Sequence, residues 1–213
     1  MARIVVIGGT GYAGGHIVQE AASRGHDVVS VARKAPEERV DGVTYVQTDA
    51  RDLASLGDAL DGADAVVETL SPRGDMTDAV VDVLRALAEK LAGTKTRLGV
   101  VGGAMGSLAA PDGPRLYDLG VPPEFGNEPK VGVDSLELLE ASDDSLDWFL
   151  VHPPKEFGAW VPGERTGRYR DGGDVVVEDA DGKSFISGAD FAIAVVDEIE
   201  RGTHRRARFT VGY

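Results

Sequence analysis

A short apolar run, Ile4-Val5-Val6-Ile7, leads directly into Gly8-Gly9-Thr10-Gly11-Tyr12-Ala13-Gly14, and a helical pattern begins at once. Gly8, Gly11 and Gly14 recur at every third position, and Gly9, Gly11 and Gly14 also fit the tighter G-x-G-x-x-G spacing. In such a turn the first glycine permits the reversal from strand to helix. The second lets a diphosphate approach the backbone, and the third lets the helix sit close to the sheet. A helix beginning near Tyr12 aims its unpaired amides and the positive end of its dipole at that diphosphate. Glycine is common here, at 28 residues, so the weight lies in the context. A strand precedes the turn, a helix follows it, and a second strand comes at the interval a dinucleotide site requires.

The pattern continues. Apolar runs at residues 28–32, 43–46, 65–67, 98–101 and 148–151 are continuous rather than alternating, which suits strands covered on both faces. Helical patterns lie between them at 13–24, ending at Gly25, at 75–91, and around Val133, Leu136 and Leu139. Strands and helices in alternation predict an α/β fold, a Rossmann-type doubly wound parallel sheet with right-handed crossovers. After His152 the pattern becomes irregular. A short strand is expected at 174–177, a helix at 188–201 capped by Ser187 with Asp190 three residues on, and a last strand at 208–211. The whole, 1–213, reads as a single NAD(P)-binding Rossmann domain, with 152–213 packed over the strand ends as the substrate side of the cleft.

Composition narrows the chemistry. The chain has no cysteine, so disulfides and thiolate nucleophiles are excluded. Its four histidines, His16, His26, His152 and His204, lack ligand spacing, so no metal is expected. A net charge of −14 repels a phosphate polymer, which argues against nucleic acid but not against one small anionic ligand in a local basic pocket. No apolar run reaches the roughly 18 residues of a membrane helix, and no signal peptide is read, so the expected location is cytoplasmic, with no membrane partner. No long apolar stripe demands a partner, which leaves monomer or homodimer.

The strand ends supply the remaining candidates. The second strand closes on Arg33-Lys34 where an NAD-preferring protein usually carries a carboxylate. A guanidinium suits a 2′-phosphate through charge and fork geometry, so NADP(H) is the preferred cofactor and NAD(H) remains possible. Asp49 can accept from an adenine amino group, or cap a helix before Leu53, and Ala50 can pack on the ring. Leu70-Ser71 follows the fourth strand and Gly102-Gly103 the fifth, at the carboxyl ends where α/β sheets bind ligands; Pro153 follows the sixth. His152, as an imidazole beside the cleft, is a candidate proton donor or a group satisfied by backbone. Ser107, Tyr117 and Lys130 are weaker candidates. Phe157 and Trp160 can wall a flat substrate or simply pack. Arg165, Arg168 and Arg170 can meet an anion or pair with carboxylates.

At these residues the chain resembles the atypical short-chain dehydrogenase/reductases. The nearer likeness is to the proteins designated NADH-flavin reductases, relatives of biliverdin-IXβ reductase/flavin reductase and of NmrA-like proteins. The likeness is carried by residues 8–14, by Val101-Gly102-Gly103-Ala104 with Gly106-Ser107-Leu108, and by a long C-terminal signature. That signature includes Asp147-Trp148, His152-Pro153, residues 162–170, Gly182-Lys183-Ser184, Ile186-Ser187 and residues 208–213. The resemblance implies a Rossmann fold, NAD(P)H binding and reductase chemistry. The chain departs from the superfamily in lacking Tyr-x-x-x-Lys: Tyr117 is followed four residues on by Val121. Ala104 stands where a serine is usual. Hydride transfer to an electron-poor flavin or quinone asks little acid–base work of the protein, and that reductase activity on a conjugated small molecule is the expectation. The alternatives are a non-catalytic protein that senses NADP(H), and an NAD(P)-dependent epimerase or isomerase, which would need an acid/base pair.

Overall fold

A computed structural model describes residues 1–213. Eight strands form one sheet in the order β3-β2-β1-β4-β5-β6-β8-β7. They are β1 (Arg3–Ile7), β2 (Asp27–Ala32), β3 (Val43–Gln47), β4 (Ala65–Glu68), β5 (Arg97–Val101), β6 (Trp148–His152), β7 (Arg170–Asp171) and β8 (Ala207–Gly212). Every pairing is parallel except β7 with β8. The chain winds outward from β1 to β3, returns to β4 on the other side of β1, and winds the opposite way. The switch point between β1 and β4 opens the crevice where such sheets bind ligands.

Five helices cover the two faces: α1 (Tyr12–Ser23), α2 (Leu53–Leu60), α3 (Val80–Leu91), α4 (Glu128–Glu140) and α5 (Gly188–Arg201). Strand alternation divides the core. Val5, Val66 and Leu98 face one cluster with Leu56, Leu84 and Leu136 of α2, α3 and α4. Ile4, Val67 and Phe149 face a second cluster with Ile17 of α1 and Phe191 of α5. Burial on both sides explains the unbroken β-branched runs.

Three expectations need correction. The helix anticipated from 75 begins at Val80; residues Gly74–Met76 form a separate 3₁₀ turn. There is no strand at 174–177. Val175 bridges a single loop residue, Leu108, and one neighbour cannot sustain a ladder; β7 forms at Arg170–Asp171 instead. Residues 152–213 also lie differently. Only their first stretch stays near the glycine turn, where the Tyr12 hydroxyl donates to the Pro162 carbonyl at 3.2 Å. The remainder lengthens the sheet through β8 and lays α5 beside α1. Ser187 does cap α5, its hydroxyl accepting from the Asp190 amide at 3.1 Å. No helix is long and apolar enough to cross a membrane.

Candidate functional site

The glycine turn is held by backbone. The Gly8 and Gly9 amides both donate to the Val31 carbonyl, at 2.9 and 3.2 Å, and Gly11 donates to Gly8 at 2.8 Å. Gly8 sits at φ +86°, a conformation that other residues rarely adopt. A side chain at Gly14 would collide with the Gly8 carbonyl and with Thr69 Oγ1, so glycine there is what seats α1 against the turn. Gly11 is the N-cap of α1, without a side-chain cap and with no acidic residue in the first turn. The amides of Thr10, Tyr12, Ala13 and Gly14 have no acceptor within the protein. Thr10 and Gly11 are exposed. Consecutive free amides at an uncompensated positive helix end fit a diphosphate.

Beside this cradle, between the ends of β2 and β3, a cavity of about 70 Å³ is lined in part by Thr10, Ser30, Lys34, Arg39, Tyr45 and Gln47. Ser30 is 1% exposed and its hydroxyl has no partner. The Arg39 guanidinium lies over the Tyr45 ring, 5.3 Å from its centre. Lys34 thus lines the cavity, while Arg33 turns the other way, its Nη1 donating to both carboxylate oxygens of Asp75 at 2.7 and 2.6 Å. Arg51 joins them, pairing with Asp75 at 3.1 Å and with Asp49 at 2.6 Å. Hydrogen bonds from Arg51 hold the Asp49 carboxyl down at about 2, and Arg33 likewise lowers that of Asp75. Asp52, not Asp49, caps α2, accepting from the Ser55 amide at 3.1 Å. Ala50 is buried in the core.

The other half of the rim is formed by β4, β5 and β6. Leu70 donates its amide to Glu68 Oε1 at 2.5 Å, and Ser71 is exposed beyond it. Glu68 is 1% exposed at the end of β4, and burial pushes its carboxyl up to about 8. Nothing in the composition marked this residue; the one signal was a carboxylate closing the apolar run Ala65-Val66-Val67. Gly103 is open, whereas a side chain at Gly102 would press on Leu150 and His152. The His152 ring is fully buried and its Nδ1 lies 2.8 Å from the Gly103 carbonyl. A carbonyl only accepts, so Nδ1 carries the proton and Nε2, which has no partner, is bare. Burial lowers the imidazole to about 4, so it is neutral near pH 7. Ser107 is buried with its hydroxyl unpaired. Tyr117 is half-buried in a 3₁₀ turn, Leu116–Leu119, and Lys130 on α4 pairs with Asp134 at 2.5 Å.

The later candidates separate. Phe157 packs between Tyr12 and Phe191, with ring centres 5.2 and 4.5 Å away, while Trp160 is 68% exposed and Pro153 is buried. Arg165 pairs with Glu20 at 2.6 Å. Arg170 donates to the Glu178 carbonyl at 2.7 Å. No three His, Asp or Glu side chains gather as a metal group.

This geometry agrees with the comparisons. A family model described as NAD(P)H-binding matches residues 8–201. The Bacillus subtilis (strain 168) protein YwnB is 37% identical over 215 residues, covering 98% of this chain and 97% of its own. A Streptococcus pneumoniae TIGR4 structure named as a "putative NADH-flavin reductase" superposes with a TM-score of 0.88 at 33% identity, over 100% of this chain and 99% of that one. A Bacteroides thetaiotaomicron structure named as a "putative epimerase" does so at 0.86 and 32%, over 100% and 97%. With its free amides at the switch point of a doubly wound sheet, the chain belongs to the NAD(P)H-binding family, in the atypical short-chain dehydrogenase/reductase group.

Proposed function

We propose that the protein is a reductase that passes hydride from NADPH to a flat conjugated small molecule such as a flavin or quinone. The observation that carries this reading is the row of unpartnered amides at Tyr12, Ala13 and Gly14, with Lys34 lining the cavity beside them and Arg33 preceding it just past the end of β2. Those amides would hold the diphosphate. Arg33 would select the phosphorylated ribose, with Lys34 and Arg39 adding positive charge. When bound, the nicotinamide supplies the hydride. Leu70, Ser71, Gly102 and Gly103 leave room for the ribose and ring, with Pro153 behind them. His152 and Ser107 support that floor from within. Of the four residues considered for acid–base work, His152 and Ser107 are buried while Tyr117 and Lys130 reach the surface, and solvent can provide the final proton.

NADPH oxidation should be measured with FMN, riboflavin and quinones, alongside titration of NADPH and NADH. Turnover with at least one acceptor, and an NADPH preference that Arg33→Ala reduces by about tenfold, are expected. The buried state of His152 and Ser107 favours a second reading, an NADP(H)-sensing protein without turnover. Tight NADPH binding with no loss of 340 nm absorbance on any acceptor would select it. No binding of either nucleotide at millimolar concentration would end both.

A further inference from the structure

The ribose end of the rim already contains an anion. Asp75 is shared by two guanidinium groups, Arg33 from the end of β2 and Arg51 from the β3–α2 connection, while Asp75 itself follows β4. Backbone geometry brings it there. The 3₁₀ turn Gly74–Met76, with Gly74 at φ +60°, breaks away from α3 and carries Asp75 across to Arg33. Arg33, Asp75 and Arg51 side chains are 51%, 52% and 44% exposed, so this is no desolvated structural pair, and breaking it costs little.

A carboxylate and a phosphate monoester make the same demand on a guanidinium: negative charge and oxygens matched to its fork. Asp75 occupies Arg33 Nη1 alone, so a phosphate on this guanidinium either displaces the carboxylate or binds the remaining N–H groups with the carboxylate beside it as a like charge. A ribose with a free 2′-hydroxyl brings no such charge. We infer that Asp75 is a specificity-determining residue: it competes with the 2′-phosphate of NADP(H) for Arg33 and narrows the preference over NAD(H) that the cations alone would impose. This rests on the reading of Arg33 as the phosphate-selecting residue.

Dissociation constants for NADPH and NADH should be measured for the wild type, Asp75→Asn, Asp75→Ser, Arg33→Ala and the Arg33→Ala/Asp75→Asn double variant, with a melting curve for each. At low salt both Asp75 variants should bind NADPH about three- to tenfold more tightly, with NADH within about twofold of wild type. The gain should shrink at 0.5 M NaCl, where the Debye length falls to about 4 Å. It should vanish in the double variant compared with Arg33→Ala. Unchanged or weaker NADPH binding in folded Asp75 variants, while Arg33→Ala still loses selectivity, would overturn the competition alone. An Arg33→Ala protein with an unaltered NADPH-to-NADH ratio would overturn the Arg33 reading and this inference with it.

Discussion

Arg33, Arg51 and Asp75, at the β2–β3 end of the carboxyl rim, keep roughly half of each side chain in water. Glu68, Ser107 and His152, at the β4–β6 end, have 1% or less exposed. The first group is ionised, mutually paired and screened, so its members can exchange partners at little cost. The second is desolvated. His152 and Ser107 each hide a polar atom without a partner, and Glu68 and His152 are both neutral near pH 7. Charge is thus retained where side chains stay in water and suppressed where they are packed out of it. The first group should respond to salt and the second to pH.

The largest expected effect is at Glu68. Its carboxyl is raised from 4.5 to about 8 in the fold, so the native state holds the proton more tightly than the unfolded chain. Stability is then greatest below pH 4.5 as far as this group is concerned, and is lost as pH rises through 8. The loss is on the order of 3–5 kcal/mol. Urea midpoints for wild type and Glu68→Gln should diverge from about pH 4.5 upward until about pH 8, with the glutamine variant keeping its stability. Parallel profiles up to pH 9 would place Glu68 in water and erase the contrast between the two ends.

His152 has the opposite sign. Its imidazole is lowered from 6.5 to about 4, so the unfolded chain binds the proton first. The contribution is complete above pH 6.5 and disappears as pH falls through 4, an effect on the order of 3 kcal/mol. His152→Asn should flatten this acid limb. An ordinary imidazole titration near 6.5 in the NMR spectrum would contradict it.

A smaller effect concerns the cradle between the two ends. Gly14→Ala adds one carbon that meets the Gly8 carbonyl and Thr69 Oγ1. It should push α1 away from the turn and weaken NADPH and NADH alike by about tenfold or more, with the far-UV spectrum preserved. A loss confined to NADPH would mean that the region around Arg33, not the glycine turn, had been disturbed.

Much of the architecture was legible because it rests on local rules. The strands at β1, β2, β3, β4, β5 and β6 follow from apolar runs buried on both faces, and the glycine turn from backbone geometry that only glycine supplies at Gly8. Helix α2 was foreshadowed only as a cap before Leu53, since it is short and carries Gly57 in its middle. The late start of α3 was hidden because Met76 continues its apolar stripe although it belongs to the preceding turn. The apparent strand at 174–177 has the right composition but no adjacent strand to pair with.

The amino-acid sequence by itself determined the strand-turn-helix cradle, the parallel sheet and the supply of cations after β2, since each depends on residues within a few positions of one another. Tertiary structure alone decided which polar groups meet. Arg33 finds Asp75 from 42 residues away, and His152 finds the Gly103 carbonyl from 49. It also decided that Glu68 lies out of water. Partner choice and desolvation are properties of packed space, and hydrophobic periodicity shows only which face turns inward.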